Sequence, residues 1–248
     1  MLESLRIARG VIRSLSIYYG GARRPDAMDR LYGRFIRPGD LVFDIGAHVG
    51  DRIAAFRRLG ARVVAVEPQP ALVKTLRLLY RRDRAVVIEA VALGRRSGAV
   101  ELQLNIDNPT VSTASEEFVS AARGAPGWEG QHWTKRIQVP MTTLDALIAR
   151  HGMPSFAKID VEGFEAEVLA GLTRPPVALS FEFTTIQRDL ACACVARCVA
   201  LGYARFDAAL GESQNLVHGQ WLDADAIVRW IVELPHAANS GDVYATLA

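Results

Sequence analysis

The sequence predicts a doubly wound α/β fold, in which a mainly parallel sheet has helices on both faces. Short apolar runs that suit buried strands alternate with helical segments along most of the chain. A glycine-containing turn follows the first run, and an acidic residue ends the second. This alternation is typical of parallel strands joined by crossover helices. At 248 residues the chain is long enough to bury a large core as one domain.

The predicted elements of the first half follow the alternation closely. An amphipathic helix at 1–20 and a short helix at 27–36 precede strands at 41–43, 62–67 and 85–90, with helices over 51–59 and 71–80 between those strands. Gly60 ends one helix, and Pro68 and Pro70 restart the chain into the next. From about 94 to 137 the pattern weakens, and only 100–104 suggests an edge strand.

The second half returns to alternation. Strands are predicted at 137–140, 156–159 and 179–183, helices from 143 to near 151 and over 164–169, a helix around 192–198, and a final antiparallel pair at 203–206 and 243–247. We divide the chain into an N-terminal helical extension, residues 1–37, and a single domain, residues 38–248. The domain contains an irregular insert at about 105–136.

The composition narrows the class of protein. Half of the residues are hydrophobic and 23% are charged, which is ordinary for a globular domain. The formal net charge of +2 does not indicate an extended basic surface of the kind that binds nucleic acid. Two local basic clusters, 81–84 and 95–96, are interpreted as solvated surface. We therefore expect no nucleic-acid partner.

Two segments bear on location and assembly. In the N-terminal helix Arg6, Arg9 and Arg13 interrupt the apolar positions, which argues against a signal peptide or a membrane span. We expect this helix to dock on its own domain or on a partner subunit, so a homodimer is compatible with the sequence, and membrane-surface binding is a lesser alternative. The cysteines, Cys192, Cys194 and Cys198, fall in one apolar helix without a nearby His or carboxylate cluster. This predicts free thiols, no metal there and a cytoplasmic location.

The turn after the first strand predicts a cofactor site. It reads Asp44-x-Gly46-x-x-x-Gly50, and Glu67 follows 23 positions after Asp44, near the offset at which an acid meets a ribose diol. A pyrophosphate would be repelled by Asp44, whereas an ammonium group would be attracted, so the turn favours S-adenosylmethionine and leaves a nicotinamide oxidoreductase as a distant alternative. The two glycines are expected to let backbone approach the ligand. Alternatively, Asp44 caps a helix and Glu67 is a solvated strand end.

A second acidic centre follows the strand at 156–159. Asp160 stands at its carboxyl end, Glu162 follows, and Glu182 ends the next strand. Ligands of open α/β sheets bind beyond the carboxyl ends of the strands, so Asp44, Glu67 and Asp160 should converge on one crevice. Alternatively, Glu162 and Glu165 only place negative charge in the first turn of the following helix.

Together these residues resemble the FkbM-type methyltransferases, a branch of the class I S-adenosylmethionine-dependent enzymes. The resemblance rests on VFDIGAHVG at 42–50, VEP at 66–68, TLD at 143–145, KIDVEGFE at 158–165 with VLAG at 168–171, and GDVY at 241–244. It spans roughly residues 37–248. It implies a seven-stranded sheet whose last strand is antiparallel, and methyl transfer to an acceptor oxygen.

The resemblance also implies roles for particular residues. Asp44 and Gly46 would line the methionine end of the cofactor, Glu67 would hold the ribose diol, and Asp160 with Glu162 would lie beside the methyl group and the acceptor. The cofactor surface is expected to include the further residues Ala47, His48, Gly50, Pro68 and Ala92. Two departures stand out: His48 is often Asn in the family, and Asp51-Arg52 replaces hydrophobic or hydroxyl residues.

We expect an S-adenosylmethionine-dependent O-methyltransferase that acts on a hydroxyl of a small molecule or sugar. An alcohol profits from a general base, for which Asp160 and Glu162 are the first candidates and Glu182 the third. Neighbouring carboxylates could instead raise each other's pKa or bind a divalent metal, but no metal is expected. The alternatives are an N-methyltransferase, which would tolerate loss of the base, and a non-catalytic cofactor-binding scaffold in carbohydrate or natural-product assembly.

The irregular insert at about 105–136 is predicted to be a substrate lid, because long irregular segments in compact domains are often binding loops. Its aromatic residues Trp128, His132 and Trp133 are the candidate acceptor contacts. The alternative is that they pack the insert onto the domain.

Overall fold

A seven-stranded sheet forms the centre of the protein in the computed structural model, which describes residues 2–20 and 24–247. Met1, residues 21–23 of the predicted extension and Ala248 lie outside the described residues. The strands of this sheet and of a second, smaller sheet are β1 (Leu41–Ile45), β2 (Arg62–Val66), β3 (Val86–Glu89), β4 (Ala92–Leu93), β5 (Gly98–Leu104), β6 (Lys135–Thr142), β7 (Phe156–Ile159), β8 (Ala178–Thr184), β9 (Tyr203–Leu210) and β10 (Ser240–Leu247).

The strand order in the main sheet is β3-β2-β1-β7-β8-β10-β9. The first five strands in this order pair in parallel, and β10 runs antiparallel to both of its neighbours. The last strand of the chain is therefore the antiparallel one, and the predicted doubly wound fold is confirmed. Because β1 and β2 are central and parallel, their carboxyl ends open at the same edge as that of β7.

Helices cover both faces of this sheet. They are α1 (Leu2–Tyr19), α2 (Arg24–Tyr32), α3 (Asp51–Arg58), α4 (Pro70–Leu79), α5 (Glu116–Ala122), α6 (Leu144–His151), α7 (Glu165–Ala170), α8 (Arg188–Ala200) and α9 (Ala224–Glu233). Phe43 of β1 packs in one core with residues of α6, α7, α8 and α9, while its neighbour Val42 packs in a second core with α2 and α3. Alternate residues of β1 thus face opposite cores, which explains its uninterrupted apolar run.

A small second sheet carries the strands predicted at 100–104 and 137–140. In it β6 pairs antiparallel with β5 and parallel with β4, outside the main sheet. A 3₁₀ turn, Pro109–Val111, and α5 complete the insert between β5 and β6. The sequence did not predict α9, which begins after Asp223, whose carboxylate accepts a hydrogen bond from the amide of Ala226 at 2.8 Å.

The N-terminal helix α1 docks on its own domain. Val11 is buried against Val49 and Leu72, and the hydroxyl of Tyr19 donates a hydrogen bond to the carbonyl oxygen of Val49 at 3.2 Å. Val49 belongs to the turn after β1, so α1 lies beside the predicted cofactor site. Among the described residues, none of the helices combines the length and apolar character needed to cross a membrane.

Candidate active site

The carboxyl ends of β1, β2 and β7 open into one cavity. Its volume is about 860 Å³ when the open space at its mouth is included. Asp44, Glu67 and Asp160 all line it, as the sequence predicts. Gly46, Ala47, His48, Pro68, Ala92 and Glu162 also line it.

The two glycines of the turn after β1 both lie close to other parts of the protein. Gly46 has φ +84°, and a β-carbon there would overlap the carbonyl oxygen of Asp160. At Gly50 an added β-carbon would press on the side chains of Leu76 and Tyr80, and Gly50 does not line the cavity. Gly46 thus makes room for the end of β7 while it also lines the cavity, whereas Gly50 makes room for the helix α4 and does not reach the ligand space that the sequence analysis expects.

Asp44 is fully buried at the cavity wall. Its side chain belongs to β1 rather than to a helix cap, and its Oδ2 atom has no hydrogen-bond partner. Burial raises the pKa of Asp44 to about 7. A buried carboxylate oxygen without a donor is costly, so this position favours a ligand that brings a positive donor.

Glu67 is buried rather than solvated. Its two carboxylate oxygens accept hydrogen bonds from the amides of His48 at 3.0 Å and Gln69 at 2.8 Å. Burial raises its pKa to about 8, against the effect of these two amides. Each oxygen has a second lone pair, so the fixed carboxylate can still accept hydrogen bonds from ligand hydroxyls.

His48 connects the turn to the N-terminal helix. Its ring meets the ring of Tyr18 edge to face at a centroid distance of 5.1 Å, and Tyr18 lines the cavity. Burial lowers the pKa of His48 to about 4, so its imidazole is neutral at physiological pH. The N-terminal helix therefore contributes part of the cavity wall.

Arg52, one of the two departures from the family pattern, also lines the cavity. Its Nη1 pairs with Asp51 at 2.5 Å and its Nη2 with Glu212 at 2.8 Å. Burial alone would lower the pKa of Arg52, but the carboxylates of Asp51 and Glu212 outweigh it and raise the pKa. The guanidinium is therefore held in a fixed position at the cavity wall.

A buried ion cluster supports Asp160. The Nζ atom of Lys158 lies 2.7 Å from Oδ2 of Asp160 and 3.2 Å from Oδ1 of Asp242, and the side chain of Lys158 is 1% exposed. Burial alone would raise the pKa of Asp160, but the charge and hydrogen bond of Lys158 lower it below its ordinary value. Asp160 is thus held ionised at the edge of the cavity.

Three carboxylates meet beside this cluster. Oxygen atoms of Asp160, Glu162 and Glu182 all lie within 4.8 Å of one another, so the group has the donor atoms for a hard cation. Burial, followed by the charge of Asp160, raises the pKa of both Glu162 and Glu182 well above the ordinary value. Glu182 lines a separate small cavity of about 230 Å³ rather than the main one.

Glu165 has a structural role next to this group. Its Oε1 accepts hydrogen bonds from the amides of Val161 at 2.9 Å and Gly163 at 3.3 Å. The carboxylate thus closes the turn between β7 and α7 from the first turn of that helix. Glu162 differs, because it lines the main cavity.

The predicted acceptor contacts lie elsewhere. Trp128, His132 and Trp133 line a groove on the insert that is separate from the main cavity. Trp128 packs edge-on against Phe118 at 5.1 Å, and Nε1 of Trp133 donates a hydrogen bond to the carbonyl oxygen of Val111 at 2.8 Å. The insert reaches the main cavity through different residues, namely Thr110, Ser112 and Ala114.

Comparison with known proteins agrees with this geometry. The family described as the methyltransferase FkbM domain matches residues 44–189, more than half of the chain. The chain belongs to the FkbM methyltransferase family. A curated relative, the 31-O-demethyl-FK506 methyltransferase FkbM of Streptomyces tacrolimicus, is 28% identical over 199 residues, which are 69% of this chain and 76% of the relative.

Solved structures of methyltransferases are also similar to this FkbM-family protein. A putative O-methyltransferase from Klebsiella pneumoniae matches with a TM-score of 0.48 at 8% identity, covering 96% of this chain and 90% of that one. The precorrin-6y C5,15-methyltransferase of Geobacter metallireducens GS-15 matches with a TM-score of 0.43 at 13% identity, covering 91% and 87%. Because both TM-scores are below 0.5, the fold assignment rests on the strand order of the main sheet and not on these two structures.

The cavity fits the cofactor of an S-adenosylmethionine-dependent methyltransferase, which this FkbM-family chain is. Oδ2 of Asp44 is a buried acceptor that needs a donor, as an α-ammonium group supplies. Glu67 offers fixed carboxylate oxygens to a ribose diol.

Sequence reasoning missed several residues of the FkbM-family site. Lys158 and Asp242 fall within the family motifs without a predicted role, although a lysine between two apolar strand residues signals a buried ion pair. The sequence identifies Arg52 only as a departure from the family pattern. Tyr18 and Glu212 carried no readable signal, because their positions depend on the docking of α1 and of the segment after β9.

Proposed function

We propose that this protein transfers a methyl group to a hydroxyl oxygen of a small molecule or sugar. The observation that carries the proposal is the pair of carboxylates, Asp160 and Glu162, that line the cofactor cavity. An alcohol stays protonated at neutral pH, so its methylation profits from a base at the reacting oxygen. An amine acceptor would need no such pair.

S-Adenosylmethionine would supply the methyl group from its sulfonium centre. The residues that would hold it are Asp44 at the ammonium group, Glu67 at the ribose hydroxyls, and the remaining predicted cofactor residues, Gly46, Ala47, His48, Pro68 and Ala92, along the cavity wall. Much of the rate enhancement would come from orienting the acceptor in a cavity from which water is excluded. Tyr18 would help to exclude water on the side of α1.

The two carboxylates would have different tasks. Lys158 binds one oxygen of Asp160 and keeps it ionised, so Asp160 would accept a hydrogen bond from the acceptor hydroxyl and orient it. Glu162 is the more basic of the two, and no described residue donates a hydrogen bond to its carboxylate. A carboxylate with a raised pKa is the stronger base once it is ionised, so Glu162 in its ionised form would take the proton of the hydroxyl group. Glu182 is kept as the third candidate.

The relative from Streptomyces supports an oxygen acceptor, because its name specifies an O-demethyl substrate. The acceptor of the present chain would reach the carboxylates past the insert, where Thr110 and Ser112 line the cavity. Hydroxyl groups at that wall suit a polar acceptor that offers several oxygens. The groove with Trp128, His132 and Trp133 would serve only the distal part of a larger acceptor.

The test measures methyl transfer from labelled S-adenosylmethionine to panels of polyols, sugars, phenols and amines. Turnover on an alcohol should fall roughly 10²–10⁴-fold in Glu162→Gln, the range for loss of a general base, and by a comparable factor in Asp160→Asn. Cofactor binding should persist in both variants. Glu233→Gln, at an exposed position on α9, is the matched control and should leave turnover unchanged.

Two outcomes would contradict the proposal. Turnover confined to amines, and retained in the Asp160→Asn and Glu162→Gln variants, would establish an N-methyltransferase. Binding of S-adenosylmethionine without turnover on any member of the panel would favour a cofactor-binding scaffold. If only the roles of the two acids were reversed, Glu162→Gln would keep most of its turnover while Asp160→Asn would not.

A further inference from the structure

Two residues that line the cofactor cavity each have a buried side-chain atom without a hydrogen-bond partner. These atoms are Oδ2 of Asp44 and Nε of Arg52. Among the buried side-chain atoms that lack a partner in the described part of the chain, only these two belong to residues that line this cavity. One is a negative acceptor and the other a positive donor, so together they are complementary to a ligand that carries both charges.

We propose that Arg52 binds the α-carboxylate of the cofactor while Asp44 binds its α-ammonium group, so that the two side chains form a receptor for an amino-acid zwitterion. The proposal rests on the assignment of S-adenosylmethionine as cofactor. It assigns a cofactor-binding role to a residue at which this chain departs from the common family pattern. An arginine presents several N–H donors in a rigid plane, which suits a carboxylate better than the hydrophobic or hydroxyl residues it replaces.

The surroundings of Arg52 fix the guanidinium before any ligand binds. Asp51, beside it in the first turn of α3, holds Nη1 at 2.5 Å, and Glu212, from the segment after β9, holds Nη2 at 2.8 Å. The side chain of Arg52 is 9% exposed. Two of its nitrogen atoms are thus anchored to protein, and the third, Nε, carries the unpaired N–H. A donor that is already oriented loses little conformational entropy when it binds.

The position of Arg52 relative to Asp44 supports a shared ligand. Asp44 lies at the end of β1, and Arg52 lies in the first turn of α3, which begins directly after the turn that follows β1. Asp44 and Arg52 both line the main cavity. The ammonium and carboxylate of an α-amino acid are attached to one carbon atom and must likewise be bound by neighbouring groups.

Binding of three ligands tests this assignment without an acceptor. S-Adenosylhomocysteine carries both charges, its decarboxylated analogue keeps the ammonium group, and 5′-methylthioadenosine lacks both. Calorimetry on the wild-type protein should show S-adenosylhomocysteine bound roughly 10- to 100-fold more tightly than the decarboxylated analogue, the range for a charge-assisted hydrogen bond. In Arg52→Met this ratio should fall to about one, while the affinity for 5′-methylthioadenosine stays unchanged.

Two further variants separate the roles. Asp44→Asn should lose the preference for the decarboxylated analogue over 5′-methylthioadenosine, because that preference depends on the ammonium group alone. Arg58→Met is the matched control: Arg58 lies on the same helix, its side chain is 38% exposed, and it pairs with Asp29 away from the cavity. This control should keep the wild-type ratios for all three ligands.

A preference for the carboxylate that persists in Arg52→Met would overturn the proposal. If that variant instead bound all three ligands normally but raised the KM of the acceptor, Arg52 would face an acceptor carboxylate, and the cofactor role would be wrong. If Arg52→Met failed to fold, Arg52→Lys, which keeps the charge but lacks the planar fork, should show a lower ratio than the wild type. A wild-type protein that bound none of the ligands would refute the cofactor assignment itself, and this proposal with it.

Discussion

Gly46, in the turn after β1, lies directly against the backbone of Asp160 at the end of β7. The two residues join the cofactor end of the cavity to the carboxylates proposed to act on the acceptor. A β-carbon at Gly46 would overlap the carbonyl oxygen of Asp160, and the φ of +84° disfavours any other residue. The two halves of the site can therefore lie this close only because residue 46 has no side chain.

Gly46→Ala should lower the free energy of unfolding and weaken cofactor binding. The left-handed backbone costs about 1–2 kcal/mol for alanine, and displacing the end of β7 adds about 1–3 kcal/mol. Gly39→Ala is the matched control, because Gly39 has φ +90° and nothing within 4 Å of the added β-carbon. Urea denaturation of both variants measures the difference, and an equal loss in the two would show that Gly46 and Asp160 are not tightly packed.

Lys158→Met should destabilise the protein strongly, because it leaves Asp160 and Asp242 without their cation. Removing one partner of a buried ion pair costs about 3–5 kcal/mol in unfolding free energy. Adding Asp242→Asn to Lys158→Met should restore part of the loss, since it removes one of the unpaired charges. Chemical denaturation of the single and double variants provides the measurement.

The control for Lys158 is the exposed lysine Lys135, which pairs with Glu3 at 2.5 Å while both side chains are more than a third exposed. Lys135→Met should leave the unfolding free energy close to that of the wild type, because solvent screens an exposed ion pair. If both lysine variants had the same small effect, the cluster around Lys158 would be solvated and could not set the charge of Asp160.

Cofactor binding should strengthen as the pH rises from about 6 to 8. In the ligand-free protein burial raises the pKa of Asp44 to about 7 and that of Glu67 to about 8. The ammonium and the ribose hydroxyls both favour the ionised carboxylates, so binding below these pKa values must displace protons. The Kd for S-adenosylhomocysteine should decrease about tenfold or more over this range by calorimetry, and Glu67→Gln should flatten the upper part of the curve.

The same two groups make the stability of the ligand-free protein depend on pH. Their folded pKa values lie above the unfolded values of 3.8 and 4.5. Their contribution to stability is therefore fully present below about pH 4 and is lost as the pH rises through about 7 to 8. Thermal unfolding should accordingly show a larger stabilisation by S-adenosylhomocysteine at pH 8 than at pH 6. An equal stabilisation at the two pH values would mean that neither acid contacts the ligand.

The sequence could predict the parts of this protein that depend on local pattern. The buried strand β1, the acids at the strand ends and the order of strands and helices around them follow from short runs of residues and from the family motifs. The convergence of Asp44, Glu67 and Asp160 follows as well, because parallel strands place their carboxyl ends at one edge.

Contacts between distant segments could not be predicted. Arg52 and Glu212 are 160 positions apart, and Lys158 and Asp242 are 84 positions apart. The second pair depends on β10 lying next to β8, which no local pattern shows. The aromatic residues Trp128 and Trp133 could be recognised as important, but their packing against Phe118 depends on the fold of the insert.

Turnover should not require a divalent metal, although Asp160, Glu162 and Glu182 are close enough to hold one. Lys158 already supplies a positive charge at 2.7 Å from Asp160. Preincubation with EDTA should leave kcat within about twofold, and added Mg²⁺ should not raise it. A large loss that Mg²⁺ restored in the wild type, but not in Glu182→Gln, would instead place a cation among the three carboxylates.

Tyr18→Ala should weaken cofactor binding, because Tyr18 brings α1 over the cavity. Its ring contacts His48, and its hydroxyl hydrogen-bonds with Thr110 of the insert, so one side chain joins three segments of the cavity wall. The Kd for S-adenosylhomocysteine should increase roughly 3- to 10-fold, the value of one buried aromatic contact. Ile17→Ala, on the same helix with 56% of its surface exposed, is the control and should leave the Kd unchanged. If Tyr18→Ala also left the Kd unchanged, α1 would pack beside the cofactor without contacting it, and the proposed exclusion of water by this helix would be wrong.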